Sequence, residues 1–430
     1  MEAASALGLV ESTTLPGVAE HVEFKLRAGT NNPRAALPAN GANSKEHALG
    51  IPILQMAQIG AYVVRHRLAG RKRFPLVLML EPLFRCNLAC AGCGKIDYPD
   101  KILNQRLPLA DCLAAIDECG APVVVIAGGE PLLHKELPEI VKGAIARGKF
   151  VTVCTNALLL AKNLDRYTPD RHFNWSIHLD GDAEMHDRSV CQAGVYDRAL
   201  EALRLAKERG FRVTINCTLF NNAEPARVAA FFDSVAALRI EGITVSPGYA
   251  YERAPDQQHF LNREKTKTLF RQIFALGKGG KPWPFFQSKL FLDFLAGNRT
   301  YHCTPWGNPT RTVFGWQRPC YLLGEGYAAT FKELMEETNW DSYGTGNYEK
   351  CADCMVHCGF EATAVEDAFN HPMRALGVAL RGIRVEGPMA PDIPLDLQRP
   401  AEFVFGRQVE QKLGEIARAE GAGKQLSAAE

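Results

Sequence analysis

The chain has 430 residues, with 49 Lys and Arg against 48 Asp and Glu for a formal net charge of +1; that length buries a large core without staples, and the balanced charge offers no global field to a nucleic acid, so no nucleic-acid partner is expected. No run reaches about 18 apolar residues, which excludes a helical membrane span, and the N-terminus lacks the pattern of a secretory leader. The thirteen cysteines are clumped and therefore read as metal sites in a reducing cytoplasm rather than as a disulfide framework.

Residues 1–49 are rich in Ala, Gly, Asn and Ser without periodicity and read as a disordered extension or as the product of an upstream start site. The segment 50–73 follows helical spacing, apolar at Ile51, Leu54, Ile59, Tyr62 and Val63 and closing on Arg65, Arg67, Arg71, Lys72 and Arg73. It fits a helix docked on the core with cations at its C-terminal dipole, or an interfacial helix resting on anionic lipid. From 74 to 250 apolar runs alternate with helical patterns: strands in FPLVLMLE, PVVVIAGGE, FVTVCTN, FNWSIHLDG, FRVTINCTLF and GITVSPG, helices near 108–119, 134–147, 157–165, 195–209 and 224–238. Six β–α units in a row predict an α/β fold with a parallel sheet, and chemistry gathers at the carboxyl ends of such strands. Residues 251–370 lose this beat. A helix near 262–277, aromatic-rich segments, a hairpin in RTVFGWQRPCYLL, a helix in FKELMEE and the stretch CADCMVHC make a smaller cysteine-rich α+β extension. Residues 371–430 carry a Pro-rich tail and one charged helix over 401–420, read as peripheral.

The stretch FRCNLACAGCGK places Cys86, Cys90 and Cys93 on the loop leaving the first strand. Three thiolates hold three corners of a cubane iron–sulfur cluster and leave the fourth iron open to a small molecule. A zinc site short of one ligand and a dithiol pair at Cys90 and Cys93 are the alternatives, but a zinc ribbon needs its second pair nearby and a redox pair has no use for Cys86.

With Gly128-Gly129-Glu130-Pro131 ending the second strand, the triplet resembles the radical S-adenosylmethionine (SAM) superfamily over about residues 75–250. The resemblance implies a partial parallel (β/α)6 barrel, a [4Fe-4S] cluster on Cys86, Cys90 and Cys93, and SAM chelated by the open iron, with an electron from the cluster splitting a carbon–sulfur bond of SAM. It further implies that the Gly128, Gly129 and Glu130 edge meets the SAM amino group: an ammonium needs an acceptor, and glycine permits the close approach. One position departs from the pattern. The residue before the third cysteine is often aromatic in the superfamily and packs adenine; here it is Gly92, so the adenine wall must come from Phe84 or a later strand. Ser176, His178 and Asp180 alternate along one strand face, and Ser176, Asp180 and Asn216 are candidates for SAM ribose or carboxylate contacts, or else members of a satisfied polar network.

Longer stretches, among them LVLMLEPLFRCNLACAGCGKIDYP, VCTNALLL, SIHLDGDAEMHD, FLDFLAGNRTYHCTPWGNPTRTVFGWQRPCYLLGEGY and YGTGNYEKCADCMVHCGFEATA, resemble the adenosylhopane synthases of bacterial hopanoid biosynthesis over about 51–367. That resemblance implies addition of the 5'-deoxyadenosyl radical to the alkene of hopene, an apolar triterpene, with SAM consumed as co-substrate and an external donor such as flavodoxin or ferredoxin supplying the electron. Cys154 at the end of the third strand then becomes the hydrogen-atom donor to the adduct; read from composition alone it is equally a small core residue. The aromatic residues Trp283, Phe285, Phe286, Phe291, Phe294, Tyr301, Trp306 and Trp316 are expected to wall an apolar slot, or to form an ordinary core. A lipid substrate favours a cytoplasmic protein that touches the inner face of the membrane through segment 50–73.

The five late cysteines, Cys303, Cys320, Cys351, Cys354 and Cys358, resemble the cysteine-rich extensions of radical peptide-modifying enzymes; an auxiliary iron–sulfur cluster, a zinc site and reduced structural thiols all fit them. Two other functions remain beside the hopene reading: radical modification of a peptide or small molecule, and a non-enzymatic iron–sulfur or zinc scaffold or electron carrier.

Overall fold

A computed structural model describes residues 52–250, 254–280, 283–401 and 405–427; the extension expected over 1–49 lies outside them. The basic segment forms α1 (Ile53–Leu68), shorter than expected because Gly70 turns the chain at φ 71°. Arg67 in its last turn binds Asn370 at 2.8 Å and Glu366 at 2.9 Å.

The six expected strands are all present: β1 (Val77–Glu81), β2 (Val123–Ile126), β3 (Phe150–Thr155), β4 (Phe173–His178), β5 (Arg212–Leu219) and β6 (Gly242–Pro247). They pair in parallel in that order, and β6 does not return to β1, so the barrel stays open. The crossovers carry α2 (Asp100–Leu103), α3 (Leu109–Cys119), α4 (Leu137–Ala146), α5 (Leu160–Asn163), α6 (Ala183–Ser189), α7 (Val195–Glu208) and α8 (Pro225–Ala236). In α3 the buried Cys112, Ala115, Ile116 and Cys119 recur at helical spacing, and Gly120 at φ 71° ends the helix, the left-handed cap that glycine adopts at low cost. In α7 the buried stripe is Val195, Ala199, Ala202, Leu203 and Ala206. Alternation along the strands sends Val151, Val153, Trp175 and Ile177 into the apolar layer under these helices and turns Cys154, Ser176 and Thr214 to the other face, side by side in register.

Beyond β6 lie α9 (Arg263–Leu276), capped by Asn262, and α10 (Lys289–Leu295), capped by Ser288. Between them the chain lies along the free edge of β6. The Ile243 amide donates to Pro284 and the Phe286 amide donates to Ile243, and Gly242 makes room because a Cβ there would sit 2.8 Å from the Cβ of Phe286. The hairpin expected in RTVFGWQRPCYLL exists as β7 (Thr310–Thr312) and β8 (Gly315–Pro319), followed by β9 (Gly324–Ala328). It does not belong to a separate sheet. β7 pairs in parallel with β1, and β8 and β9 continue antiparallel, giving one nine-stranded sheet in the order β6-β5-β4-β3-β2-β1-β7-β8-β9. The helices α11 (Phe331–Glu337), α12 (His357–Asn370), α13 (Pro372–Arg381) and α14 (Phe405–Ser427) complete the chain. Of these, α13 was not expected; it falls where the sequence reads as tail.

Candidate active site

The cysteine loop leaves β1 at the carboxyl end of the sheet. Its seat is the edge that ends β2: the Gly129 amide donates to Leu83 at 3.0 Å and the Glu130 amide to Arg85 at 2.9 Å. Both glycines are required by space. Gly128 has φ 116°, and a Cβ at Gly129 would be driven into the carbonyl oxygens of Phe84 and Arg85. Cys86, Cys90 and Cys93 are all half-buried. Burial pushes the Cys86 thiol up to about 11 and raises Cys90 as well, so these sulfurs become thiolates by binding a cation. Backbone amides already point at them: those of Leu88 and Asn87 at Cys86, and that of Lys95 at Cys93 at 3.5 Å. Amide donors to sulfur are what a cluster's thiolates receive, and the donor set fits the group. Asn156 holds the loop from β3 through Asn87 at 2.7 Å.

The Glu130 carboxylate does not face the mouth, contrary to the role expected of it. One oxygen accepts from the Leu132 amide at 3.0 Å and the Thr155 hydroxyl at 2.8 Å, the other from the Asn156 amide at 2.9 Å. Burial pushes its pKa up to about 7 against these donors. Its work is to tie the end of β2 to the end of β3; backbone at Gly128 and Gly129 is what stays beside the loop.

Asp180 is likewise consumed. It accepts from Ser189 at 2.6 Å and from the Thr218 amide at 2.8 Å, and pairs with His178 at 2.8 Å. Burial would raise its pKa, but the two neighbouring histidines hold it below the ordinary value, and Asp180 in turn raises His178. His186 donates nothing to this network: its Nδ1 accepts from the Asp180 amide at 3.2 Å, its Nε2 has no partner, and burial lowers it to about 4. Of the polar residues expected to meet SAM, Ser176 and Asn216 stay on the open side of the sheet and Asp180 serves as a brace under the cysteine loop, whose Ala91 amide binds the Ser189 carbonyl.

Cys154 stands on that same open side, half-buried, next to Ser176 in register. Burial pushes its thiol up to about 12, partly offset by a hydrogen bond with Ser176. The aromatic missing at position 92 is made good from elsewhere. Phe220, just past β5, lies over Gly92, 2.9 Å from where a Cβ would be, and stacks on His259 with ring centroids 4.0 Å apart. Gly248 flanks the same ring. Phe84, the expected substitute, is 1% exposed and spends its ring on Tyr98 and Phe314.

A cavity of about 400 Å³ opens between the cysteine loop, the end of β6 and the C-terminal strands; Lys95, Tyr249, Phe260, Tyr321, Lys350 and Cys354 are among its walls. The aromatics expected to line it do not. Trp283, Phe285, Phe291, Phe294, Tyr301 and Trp316 are packed into the core; Trp283, for example, packs on Phe232 and donates to Asp233 at 2.8 Å. Phe286 covers the β6 edge, and Trp306 packs against Trp340.

The profile of the radical SAM superfamily matches residues 80–235, and residues 243–378 match a domain of unknown function, DUF3463. The matched stretch, which carries the cysteine loop and runs from the end of β1 through β5, is similar to the radical SAM superfamily, whose members use a [4Fe-4S] cluster and SAM. Pre-heme d1 synthase of Dinoroseobacter shibae is 28% identical over 62% of this chain and 69% of its own length. Fe-coproporphyrin III synthase of Methanosarcina barkeri is 28% identical over 37% and 40%, and PqqA peptide cyclase of Granulibacter bethesdensis 30% identical over 33% and 39%. The chain therefore spans well under half of these last two relatives. Among solved structures, Streptococcus suis SuiB is 16% identical with a TM-score of 0.52, covering 72% of this chain and 76% of that one; at this identity the likeness concerns the fold. Among the described residues no helix is long and apolar enough to cross a membrane.

Proposed function

We propose that the chain is a radical SAM enzyme that transfers the 5'-deoxyadenosyl group of SAM to the terminal alkene of hopene. The observation that carries the mechanism is the placement of Cys154 on the open side of the sheet that also ends in the cysteine loop; the choice of hopene rests on the sequence stretches quoted above. The cluster held by Cys86, Cys90 and Cys93 would supply the electron that opens the SAM carbon–sulfur bond. The glycine edge would receive the SAM ammonium through backbone acceptors, while Ser176 and Asn216 offer hydrogen bonds to its sugar and carboxylate. Addition to the alkene leaves a tertiary carbon radical; Cys154, kept as a neutral thiol by burial, would give it a hydrogen atom, and the resulting thiyl radical would return to the thiol with a second electron from the external flavodoxin- or ferredoxin-type donor and a proton from solvent. Anaerobic incubation of the reduced protein with SAM and hopene, followed by mass analysis for adenosylhopane, tests the reading.

A second reading follows from the cavity. Its walls include Lys95, Lys350, Glu349 and Asp353, which suits a substrate with polar groups, such as a peptide or a tetrapyrrole, as well as a hydrocarbon. Methionine release without a hopene adduct would favour that substrate class, and no methionine release would leave an electron carrier or scaffold.

Phe220 takes the adenine-packing place that Gly92 leaves. Phe220→Ala is expected to weaken SAM binding by about 5- to 30-fold, as loss of an aromatic contact of about 1–2 kcal/mol implies, with the iron content of the purified protein unchanged. Calorimetric titration with SAM and an iron assay check both halves.

Contact with a membrane is proposed for the face that α1 shares with α12 and α13. Phe369 of α12 lies 3.3 Å from where a Gly60 Cβ would be, joining the elements, and Leu68 (84% exposed), Met373 (75%) and Leu380 (68%) stand in solvent beside them. Exposed apolar side chains, with the basic run Arg65, Arg67, Arg71 and Lys72 at the end of α1, match an anionic lipid surface. The protein is expected to float with anionic phospholipid vesicles at low salt, and the double variant Leu376→Asp, Leu380→Asp to remain at the bottom of the gradient while still cleaving SAM.

A further inference from the structure

At the amino ends of β1 and β2, the end of the sheet opposite the cysteine loop, a second opening of about 440 Å³ lies between the last turns of α1, the close of α3 and the start of α11. It is separate from both groups of clustered cysteines: the late ones, Cys303, Cys320, Cys351, Cys354 and Cys358, line a small cavity of their own. Its walls carry four cationic side chains, Arg65, Arg71, Arg73 and Lys332, and one carboxylate, Glu118.

Folding gathers these charges from separate places. The turn at Gly70 brings the chain back along α1, where the Arg71 amide donates to the His66 carbonyl at 3.0 Å, so Arg71 and Arg73 come to stand beside Arg65. Lys332 arrives from the first turn of α11. Glu118 does not neutralise the group. Its carboxylate accepts from the Trp316 indole at 3.0 Å and from the Phe331 amide, which ties α3 to β8 and α11. Arg73 pairs with Asp341 at 2.8 Å and Lys332 with Glu336 at 3.9 Å, both at the surface, whereas Arg65 and Arg71 form no ion pair among the described residues; Arg65 lies over the Tyr62 ring at 5.6 Å.

His66 belongs to the same wall and is 8% exposed. Its ring packs on Tyr62 and Phe74, with centroids 4.3 and 4.8 Å away, and its Nδ1 has no hydrogen-bond partner. Burial, reinforced by the guanidinium groups of Arg71 and Arg65, holds this imidazole below its ordinary pKa. Cations gathered this closely repel one another, and a bound anion relieves the repulsion.

A phosphate group is the anion that these side chains fit. Guanidinium forks meet phosphate oxygens with paired donors, and a phosphate monoester brings about 1.5 to 2 negative charges to an excess of cations that one carboxylate would leave largely unmet. Val64 and Leu68, exposed one turn apart on α1, border Arg65 and suit the apolar part of a phosphate ester.

We propose that the opening between α1, α3 and α11 is a binding site for a phosphate group, held by Arg65, Arg71, Arg73 and Lys332. It lies on the flank of α1 turned away from α12, where Arg67 pairs with Glu366 and Asn370, and it depends neither on the choice of hopene nor on the apolar side chains of α13.

Calorimetric titration of the full chain, purified with its iron in the absence of oxygen, tests the site with two probes: inorganic phosphate, and dihexanoylphosphatidate below its micellar concentration. Binding of both shows that the phosphate group suffices, binding of the lipid alone that the ester and its chains are needed, and binding of inorganic phosphate alone that an ester is too bulky. In each case the double variant Arg65→Gln, Arg71→Gln is expected to weaken binding about tenfold, as loss of two charged contacts at a surface site implies, with iron content and melting temperature as in the wild type. Arg204→Gln, exposed on α7, should leave binding unchanged. Lys332→Glu, on a separate helix, should weaken it as well, so the question is decided even if the double variant does not fold. Failure of both probes to bind, or binding that the double variant and Lys332→Glu retain in full, overturns the proposal.

Discussion

Replacing Cys154 by Ala is expected to leave SAM cleavage intact and to cut formation of the reduced adenosyl adduct by about a hundredfold, a barrier increase of about 2.7 kcal/mol. The separation between the two readouts follows from geometry. Cys154 belongs to β3 and touches Ser176, whereas the cysteine loop is held by Asn156, Ser189 and the glycine edge, so removing one thiol disturbs none of the loop's supports. Cys154→Ser should behave like Ala, because a hydroxyl keeps the hydrogen bond to Ser176 but holds its hydrogen too strongly to give it to a carbon radical. The pH dependence has a definite sign. A thiol pushed up to about 12 is protonated throughout the neutral range, so hydrogen delivery should be flat with pH until the solution becomes strongly alkaline, and a falling limb centred near the ordinary thiol pKa of about 8.5 would argue against this residue. Liquid chromatography of methionine and of the adduct, from the same reaction, gives both numbers.

Gly129→Ala is expected to abolish SAM binding and to lower the iron bound by the triplet. Overpacking costs about 1–3 kcal/mol where side chains give way, and here the obstacles are the carbonyl oxygens of Phe84 and Arg85, which belong to the loop that carries Cys86. The backbone of the loop and of the glycine edge must part, and the Gly129 and Glu130 amide bonds that join them are lost together. Gly414→Ala serves as the comparison: in α14 nothing closer than the Arg418 guanidinium, at 3.6 Å, meets the added methyl, and iron and SAM binding should be unchanged. Iron assay and titration with SAM distinguish the two variants.

The strands and the cysteine loop were legible in sequence because both depend on local pattern. A run such as Val123–Ile126 between two turns has no reading but a buried strand, and three cysteines within eight residues cannot be separated by folding. What escaped was decided by partners remote in sequence. Glu130 looked like a ligand-facing acceptor because its motif suggested one, yet its three donors come from Leu132, Thr155 and Asn156, and nothing in the order of residues says which way a carboxylate turns. Gly92 was visible as a departure, but the ring that fills its place lies 128 positions onward at Phe220; the pair Gly92 and Gly248, both needed to admit one ring, was the signal that went unused. The aromatic residues after 280 suit either a slot or an ordinary core by number alone, and the structure gives the second: they cover the edge of β6 and fill the core. The hairpin strand β7 was legible, but its parallel pairing with β1 was hidden by brevity: Thr310–Thr312 has no apolar alternation to announce which sheet it joins.

The pairing of that short strand has a practical meaning for anyone dissecting the molecule. β1 lies between β2 and β7, so the strand that launches the cysteine loop is an interior one. A fragment ending after β6 would strip it of a neighbour and present its amides and carbonyls as a sticky margin, which invites aggregation. Chimaeras that exchange the C-terminal half between relatives should therefore place their junction beyond β9, or import β7 through β9 as a set, if the grafted protein is to remain monodisperse.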